Sequence, residues 1–332
     1  MSHLRVVMAN RRDGAFWSIE ELFSTVRTSF PRWITATSAS APRSGAKIAA
    51  IFSNLLWARS LRNCDVIHQT GDIHYTVLSV WRRPVVLTLH DLRFIEDSRG
   101  LKRFLLWLWW LYLPCWRADR VTVISDFTKE RLLALCRMRP SKIRVIPNCV
   151  SSEFIAAPKL PPSTNPRVLI VGTTPNKNLH RTAKAFRNLS INLVILGQLK
   201  DSQRALLSEY NLKFEEVYGL GRKEVVELYQ GCDLVSFVST YEGFGMPIIE
   251  AQAVGRAVLT SDIAPMNEVA GDGALLVDPF DVGAIRAGII QLIGNAELQR
   301  NLVRKGFVNV RRFSPKSVAK KYAEVYKELL SE

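Results

Sequence analysis

Short apolar runs recur along this chain, each followed by a turn and then a helix-period pattern, and that order leaves few folds open. Leu4 to Ala9 reads as a first strand and Ser18 to Ser29 as a first helix. Asp65–His68, Val85–His90, Val121–Ile124 and Ile143–Ile146 read as further short buried strands. Strands that alternate with helices pair in parallel and need helices on both faces of the sheet, so the expectation is an α/β architecture. A second set begins at Val168. It comprises strand Val168–Val171, helix Asn178–Asn188, strand Leu193–Leu196, helix Lys223–Gln230 and an apolar run Leu234–Val238. Between the sets, Ser151–Arg167 carries Pro158, Pro161, Pro162 and Pro166, the composition of a linker. Ser314-Pro-Lys-Ser is an N-cap signal for a last, amphipathic helix through Leu330. A chain of 332 residues is long enough for two cores. The expected division is therefore 1–155, a linker at 156–166, then 167–313, with the terminal helix in 314–332.

Composition narrows the function classes. Apolar residues make up 48% with no low-complexity tract, which excludes a disordered chain. Cys64, Cys115, Cys136, Cys149 and Cys232 are odd in number, scattered and without metal-ligand spacing, so a reduced, cytoplasmic setting and no structural zinc are expected. Met1–Asn10 lacks the apolar core and cleavage site of a signal peptide. The net charge of +15 is uneven: residues 1–160 hold 24 Lys+Arg against 12 Asp+Glu, and 161–332 hold 21 against 18. No helix-turn-helix, zinc finger or basic–aromatic repeat supports nucleic acid. An anionic membrane surface, or a phosphorylated lipid-linked acceptor, fits the basic half better, and simple solubility is the alternative. Phe104–Trp116 adds to this, since it is apolar almost all round and carries four of the eight tryptophans. Thirteen helical residues span only ~20 Å, too little to cross a bilayer. Lys102 and Arg103 before it, with Arg117 and Arg120 after it, give the pattern of an interfacial helix. A core helix is the competing reading, and both hold if one face is buried.

Ligands of open α/β sheets bind beyond the carboxyl ends of the strands, so the loops after those strands carry the chemistry. The richest is Glu242-Gly-Phe-Gly-Met-Pro-Ile-Ile-Glu250, which sets two carboxylates eight residues apart around a glycine turn. Gly243 and Gly245 permit close approach of backbone to ligand, and Pro247 suits the start of a helix. The free N–H groups of such a helix favour a phosphate, with Glu242 and Glu250 placed to accept hydrogen bonds from hydroxyls. Helix-dipole preference alone also accounts for a first-turn Glu.

The longer string resolves that choice. Glu-Gly-Phe-Gly-x-Pro-x-x-Glu-Ala, Gly255-Arg-Ala-Val, Ser261-Asp262 and Pro265-x-x-Glu268-Val-Ala-Gly-Asp272 together resemble the donor-site signature of glycosyltransferase family 4. The resemblance is dense from Val168 to Pro279 and thin before His68. It implies the GT-B fold, two Rossmann-like domains facing across a cleft. It also implies retaining transfer of a hexosyl unit from a nucleoside diphosphate sugar to an acceptor hydroxyl of a cell-envelope or lipid-linked glycan. No cofactor and no metal are expected. An Asp-x-Asp motif after a strand, the mark of a metal-dependent transferase, is absent.

By that resemblance Glu250 meets the ribose hydroxyls, Glu242 a sugar hydroxyl, and the Gly243-Phe244-Gly245-Met246 backbone the phosphates. Gly172-Thr173-Thr-Pro-Asn-Lys177 matches the family's diphosphate loop, with Lys177 as its cation and Thr173 where many members carry Arg. Tyr218 and Gly219 stand where the base is held. In the first half, His90 resembles the histidine that reaches the donor sugar, so Glu242, His90 and Lys177 are the catalytic candidates. Arg11, Asp72, His74, Tyr75 and Asp91 are the acceptor-binding candidates. Arg11-Arg12-Asp13-Gly14 keeps a single glycine where relatives have a pair, and Phe16 and Trp17 replace smaller residues. The leaving phosphate is the expected acceptor of the proton. Two alternatives share the fold: a GT-B sugar-nucleotide epimerase, and a non-enzymatic basic membrane-binding protein on a degenerate scaffold.

Overall fold

A computed structural model describes residues 3–12, 18–45, 47–158 and 165–331. Asp13, Gly14, Phe16 and Trp17, and residues 159–164 of the proline-rich stretch, lie outside the described residues. The chain forms two compact units, residues 1–149 with 314–332 and residues 150–313.

The first unit carries six parallel strands, β1 (Leu4–Asn10), β2 (Ile34–Ser40), β3 (Val66–Gln69), β4 (Val85–Leu89), β5 (Arg120–Val123) and β6 (Ile143–Val145), in the order β2-β1-β3-β4-β5-β6. Successive side chains leave a strand on opposite faces. In β4, Val86 therefore joins the layer of Phe23, Val26 and Tyr326, while Val85, Leu87 and Leu89 join that of Cys115 and Leu132. The terminal helix Pro315–Ser331 belongs to this unit through a buried stripe of Val318, Tyr322, Val325, Tyr326 and Leu329 at helical spacing. His68, fully buried on β3, fastens it, with Nδ1 at 2.7 Å from the Tyr326 hydroxyl and Nε2 at 2.7 Å from Thr88 Oγ1.

The second unit repeats the plan with β7 (Arg167–Val171), β8 (Asn192–Leu196), β9 (Lys213–Val217), β10 (Leu234–Phe237), β11 (Ala257–Ser261) and β12 (Leu275–Val277), all parallel in the order β12-β11-β10-β7-β8-β9. Residues 150–158 belong here, whereas the sequence reading gave 150–155 to the first domain and began a linker at 156. The reason is a set of backbone ties. Val150 N–H donates to Phe313 O at 3.0 Å, and Ala157 N–H to Val254 O at 3.2 Å. Buried Arg256 donates to the carbonyls of Ala157 and Pro158, as well as to those of Cys232 and Gln230.

The Trp-rich segment is a helix that widens to π geometry over Trp107–Tyr112. One side is core, with Leu111 and Cys115 buried and Trp107 Nε1–H donating to Leu135 O at 2.9 Å. The other side, including Phe104, Leu105, Trp109 and Trp116, is exposed.

Candidate active site

In the second unit the loops after β7 and β10 interlock. Gly172 ends β7 at φ +88°, and a Cβ there would meet Lys177 Cε at 2.9 Å, so only glycine lets the lysine stem lie across the turn. Lys177 Nζ donates to Glu242 Oε1 at 2.7 Å and stands 4.6 Å over the Phe237 ring. Asn176 Nδ2 donates to the same carboxylate at 3.1 Å and to Tyr241 O at 3.0 Å, while Thr240 N–H donates to Asn176 O. Both charged side chains are less than one-fifth exposed, which strengthens their attraction relative to a surface pair. Thr173 brings no charge. Its hydroxyl donates to Gln198 O and its carbonyl accepts from Gln203 Nε2.

Gly245, at φ +110°, turns the chain into the helix Met246–Val254, with Pro247 in its first turn. A Cβ at Gly245 would press on Ile248 Cδ1 at 3.0 Å. Phe244 points inward against Phe313, so here the loop offers backbone rather than side chain. Gly243 and Met246 are half-buried. Glu250 is the fifth residue of the helix, just past the first turn where the sequence reading placed it, and is 9% exposed. Its Oε2 accepts from the Tyr229 hydroxyl at 2.7 Å, and its Oε1 lies 3.9 Å from Arg222 Nη1. Burial, with the charge of Glu250, pushes the Tyr229 phenol well above its usual range, so the phenol keeps its proton and donates. Arg222 also lies 4.8 Å over the Phe154 ring and 3.6 Å from Glu153 Oε2.

Tyr218 and Gly219 (φ +72°) follow β9, and Tyr218 is largely exposed. With ~4.8 Å between neighbouring strands, β9 lies about 14 Å along the sheet edge from β10. The Arg222–Glu250 approach nevertheless brings the end of this loop beside the carboxylate. Arg222, Tyr229 and Asn176 were missed in the sequence. Tyr229 lies within the stretch Lys223–Gln230 that reads as a helix, and the seven-residue step from Arg222 that puts both on one face was the available signal.

In the first unit the carboxyl ends of β1, β3 and β4 gather Arg11, Asp72, His90 and Asp91. Arg11 pairs with Glu20 at 2.7 Å and with Asp72 at 3.4 Å. His90 Nε2–H donates to Thr70 O at 2.8 Å, and burial lowers the His90 pKa. Asp91 Oδ1 accepts the Arg93 N–H. His74 and Tyr75 turn inward instead, 3% and 2% exposed. His74 Nδ1–H donates to Trp110 O at 3.0 Å, and burial lowers its pKa to about 4. Tyr75 packs on Trp110 and accepts from Asn54 Nδ2 at 2.9 Å. Among the described residues no group of three or more His, Cys, Asp or Glu is arranged for a metal ion.

Comparison with known proteins agrees with this arrangement. Residues 151–308 match the family model of glycosyl transferases group 1, and residues 6–154 match that of glycosyltransferase family 4. The chain is 26% identical over 235 residues to O-antigen chain mannosyltransferase B of Escherichia coli, covering 64% of this chain and 61% of that one. It is 29% identical over 218 residues to O-antigen chain mannosyltransferase RfbU of Salmonella typhimurium, covering 63% and 60%. These alignments thus span about six-tenths of the relatives' own length. Among solved structures, Anabaena HepE in complex with UDP and glucose superposes with a TM-score of 0.78 at 15% identity, covering 98% of this chain and all of that one. WaaG, a glycosyltransferase involved in lipopolysaccharide biosynthesis, does so at 0.70 and 14% identity, covering 97% and 99%. Two six-stranded parallel sheets, the donor-type loop and both family matches place this chain in the group 1, family 4 glycosyltransferases with the GT-B fold.

Proposed function

We propose that this protein transfers a hexosyl unit, with retention, from a nucleoside diphosphate sugar to a hydroxyl of a cell-envelope or lipid-linked glycan. The observation that carries the reading is the convergence of Lys177 and Glu242 beside the N-terminus of the helix Met246–Val254, with Glu250 held further along it. Departure of a nucleoside diphosphate builds negative charge on phosphate oxygens. An ammonium has three N–H donors, of which Glu242 takes one, and the helix N-terminus supplies backbone donors, so no metal is required to hold that charge. Glu250, a carboxylate kept in place by Tyr229, accepts from the two ribose hydroxyls. Glu242 accepts from a hydroxyl of the sugar, and the Tyr218–Gly219 turn borders the base. Arg11, Asp72 and Asp91 give the first unit a polar edge for the acceptor, and beside them His90, whose pKa burial lowers, is the histidine read for the donor sugar. The enzyme would work in the cytoplasm.

Thermal unfolding against a panel of nucleotide sugars, with Glu250→Ala alongside, tests this. A nucleoside diphosphate mannose heads the panel because the relatives are named mannosyltransferases. UDP-glucose follows because HepE was solved with it. A ligand at a hundred times its Kd stabilises by about 2.7 kcal/mol. One donor should raise the midpoint of the parent and not that of the variant, and the anomeric proton coupling of the product should match that of the donor. No shift with any donor, or an inverted product, defeats the reading.

A further inference from the structure

The first unit carries an apolar face that the transfer chemistry does not use. The helix Ile48–Ser60 shows two opposite characters. Ala50, Asn54 and Ala58 are buried, while Ile48 is 86% exposed and Phe52 63%. The helix Gly100–Leu106 and the π turn after it repeat this, with Leu101 at 73%, Phe104 at 52% and Trp109 at 48%. The two apolar stripes border one groove of about 640 Å³, floored by Tyr75, Leu78 and Trp110. Single exposed apolar residues are ordinary, but a contiguous patch of this kind marks an interaction surface.

Charge selects the partner. Residues 41–64 contain Arg43, Lys47, Arg59 and Arg62 and no carboxylate, and residues 98–118 contain Arg99, Lys102, Arg103 and Arg117 and no carboxylate. Lys47 is exposed next to Ile48, and Lys102 and Arg103 are exposed between Leu101 and Phe104. A protein partner of ordinary surface composition offers no reason to clear every Asp and Glu from both segments. An anionic lipid leaflet does, because each cation near it adds attraction and each carboxylate removes some. Indole and phenyl rings between cations suit the boundary of headgroups and acyl chains. Among the described residues no helix is long and apolar enough to cross a membrane, so the face lies on the leaflet rather than through it.

We propose that this face docks the protein on an anionic membrane surface, with Phe52 and Trp109 entering the acyl boundary and Lys47, Lys102 and Arg103 at the headgroups. Docking of this kind is independent of which sugar the second unit takes, and its test needs no transfer activity. The full chain is floated with phosphatidylcholine vesicles and with vesicles in which part of the lipid is phosphatidylglycerol. The parent should float with the anionic vesicles and release as salt rises. Phe52→Ser with Trp109→Ser should lower the partition coefficient by at least ~10-fold, since each removes a largely apolar insertion. Lys102→Glu with Arg103→Glu should lower it by more than ~20-fold at low salt, about fivefold for each cation lost. All four positions are solvent-exposed, and unchanged circular dichroism shows that the variants fold. Trp109→Phe supplies a second readout, because it should keep flotation while reducing quenching of indole emission by brominated lipid. Absence of flotation with anionic vesicles at low salt overturns the proposal, as does flotation that the apolar and charge variants leave unchanged. A lipid-free dimer that Phe52→Ser dissociates, without flotation of the parent, also overturns it and makes the occupant a second copy.

Discussion

The two units share one plan, six parallel strands between helices, yet they use their buried polar groups in opposite ways. The second unit keeps the carboxylates Glu242 and Glu250 largely sheltered at the sheet edge and matches them with Lys177, Arg222 and a phenol. The first unit buries neutral imidazoles. His68 is held by burial to a pKa of about 3 and His74 to about 4, and both are consumed by partners inside the fold. Every one of the eight tryptophans (17, 33, 57, 81, 107, 109, 110 and 116) also falls in the first unit, and the second has none. A sheltered charge facing a loop is kept for a ligand, whereas a buried neutral histidine hydrogen-bonded across the fold holds elements together. The contrast is experimentally convenient, since indole emission reports the first unit alone.

The sharpest way to break the comparison is Lys177→Ala. If Lys177 holds charge that develops as the diphosphate leaves, transfer should fall by about 10²- to 10³-fold, the usual loss of one preorganised donor. The denaturation midpoint followed by tryptophan emission should not move, because the substitution lies in the unit without indoles. Transfer within tenfold of the parent would mean that Lys177 only braces Glu242.

Acid should separate the units next. A histidine whose folded pKa is depressed contributes stability that is fully present above its unfolded value near 6.5 and is lost as pH falls toward the folded value. For His68 and His74 that window runs from about 6.5 down to about 3 and about 4. At pH 5 each costs about 2 kcal/mol. The only histidine of the second unit, His180, is exposed. Tryptophan-monitored unfolding should therefore weaken between pH 7 and pH 5, while amide exchange in the core of the second unit holds steady. His68→Gln should lower the midpoint at pH 7 and flatten this slope. An unchanged slope in that variant would remove His68 from the account.

Much of this was legible in the sequence, and unevenly so. The interior strands β4, β7 and β8 hold unbroken apolar runs, Val85–Leu87, Val168–Val171 and Leu193–Leu196, because helices cover both faces. Edge strand β2, Ile-Thr-Ala-Thr-Ser-Ala-Ser, is mostly in contact with solvent, and no apolar run announces it. The residues of the donor-type loop could be named because their spacing is local. The partners that hold them could not, since Tyr229 meets Glu250 from a separate helix and Arg222 reaches it from that helix's first residue. His74 and Tyr75 were read as acceptor groups because they follow a strand, but a frame of Trp110 and Asn54 draws both inward. That frame depends on contacts more than twenty residues distant.

The smallest expected effect is the most discriminating. Tyr229→Phe removes one hydroxyl and almost no volume, and it leaves Glu250 in a buried place without the donor that fixes Oε2. If Glu250 binds ribose, the loss falls on the donor's ground state and its transition state alike. The donor KM should rise about tenfold with kcat unchanged, in keeping with ~1.5 kcal/mol for a hydrogen bond to a charged group. Arg222→Lys should act in the same direction and less, because an ammonium keeps the charge but loses the guanidinium that lies 4.8 Å over the Phe154 ring. A merely structural tyrosine predicts something else, namely a lower midpoint for the second unit and an unaltered donor KM. A fall in kcat at constant KM would move Glu250 from the ribose to the reacting sugar, and the roles of the two carboxylates would have to be exchanged.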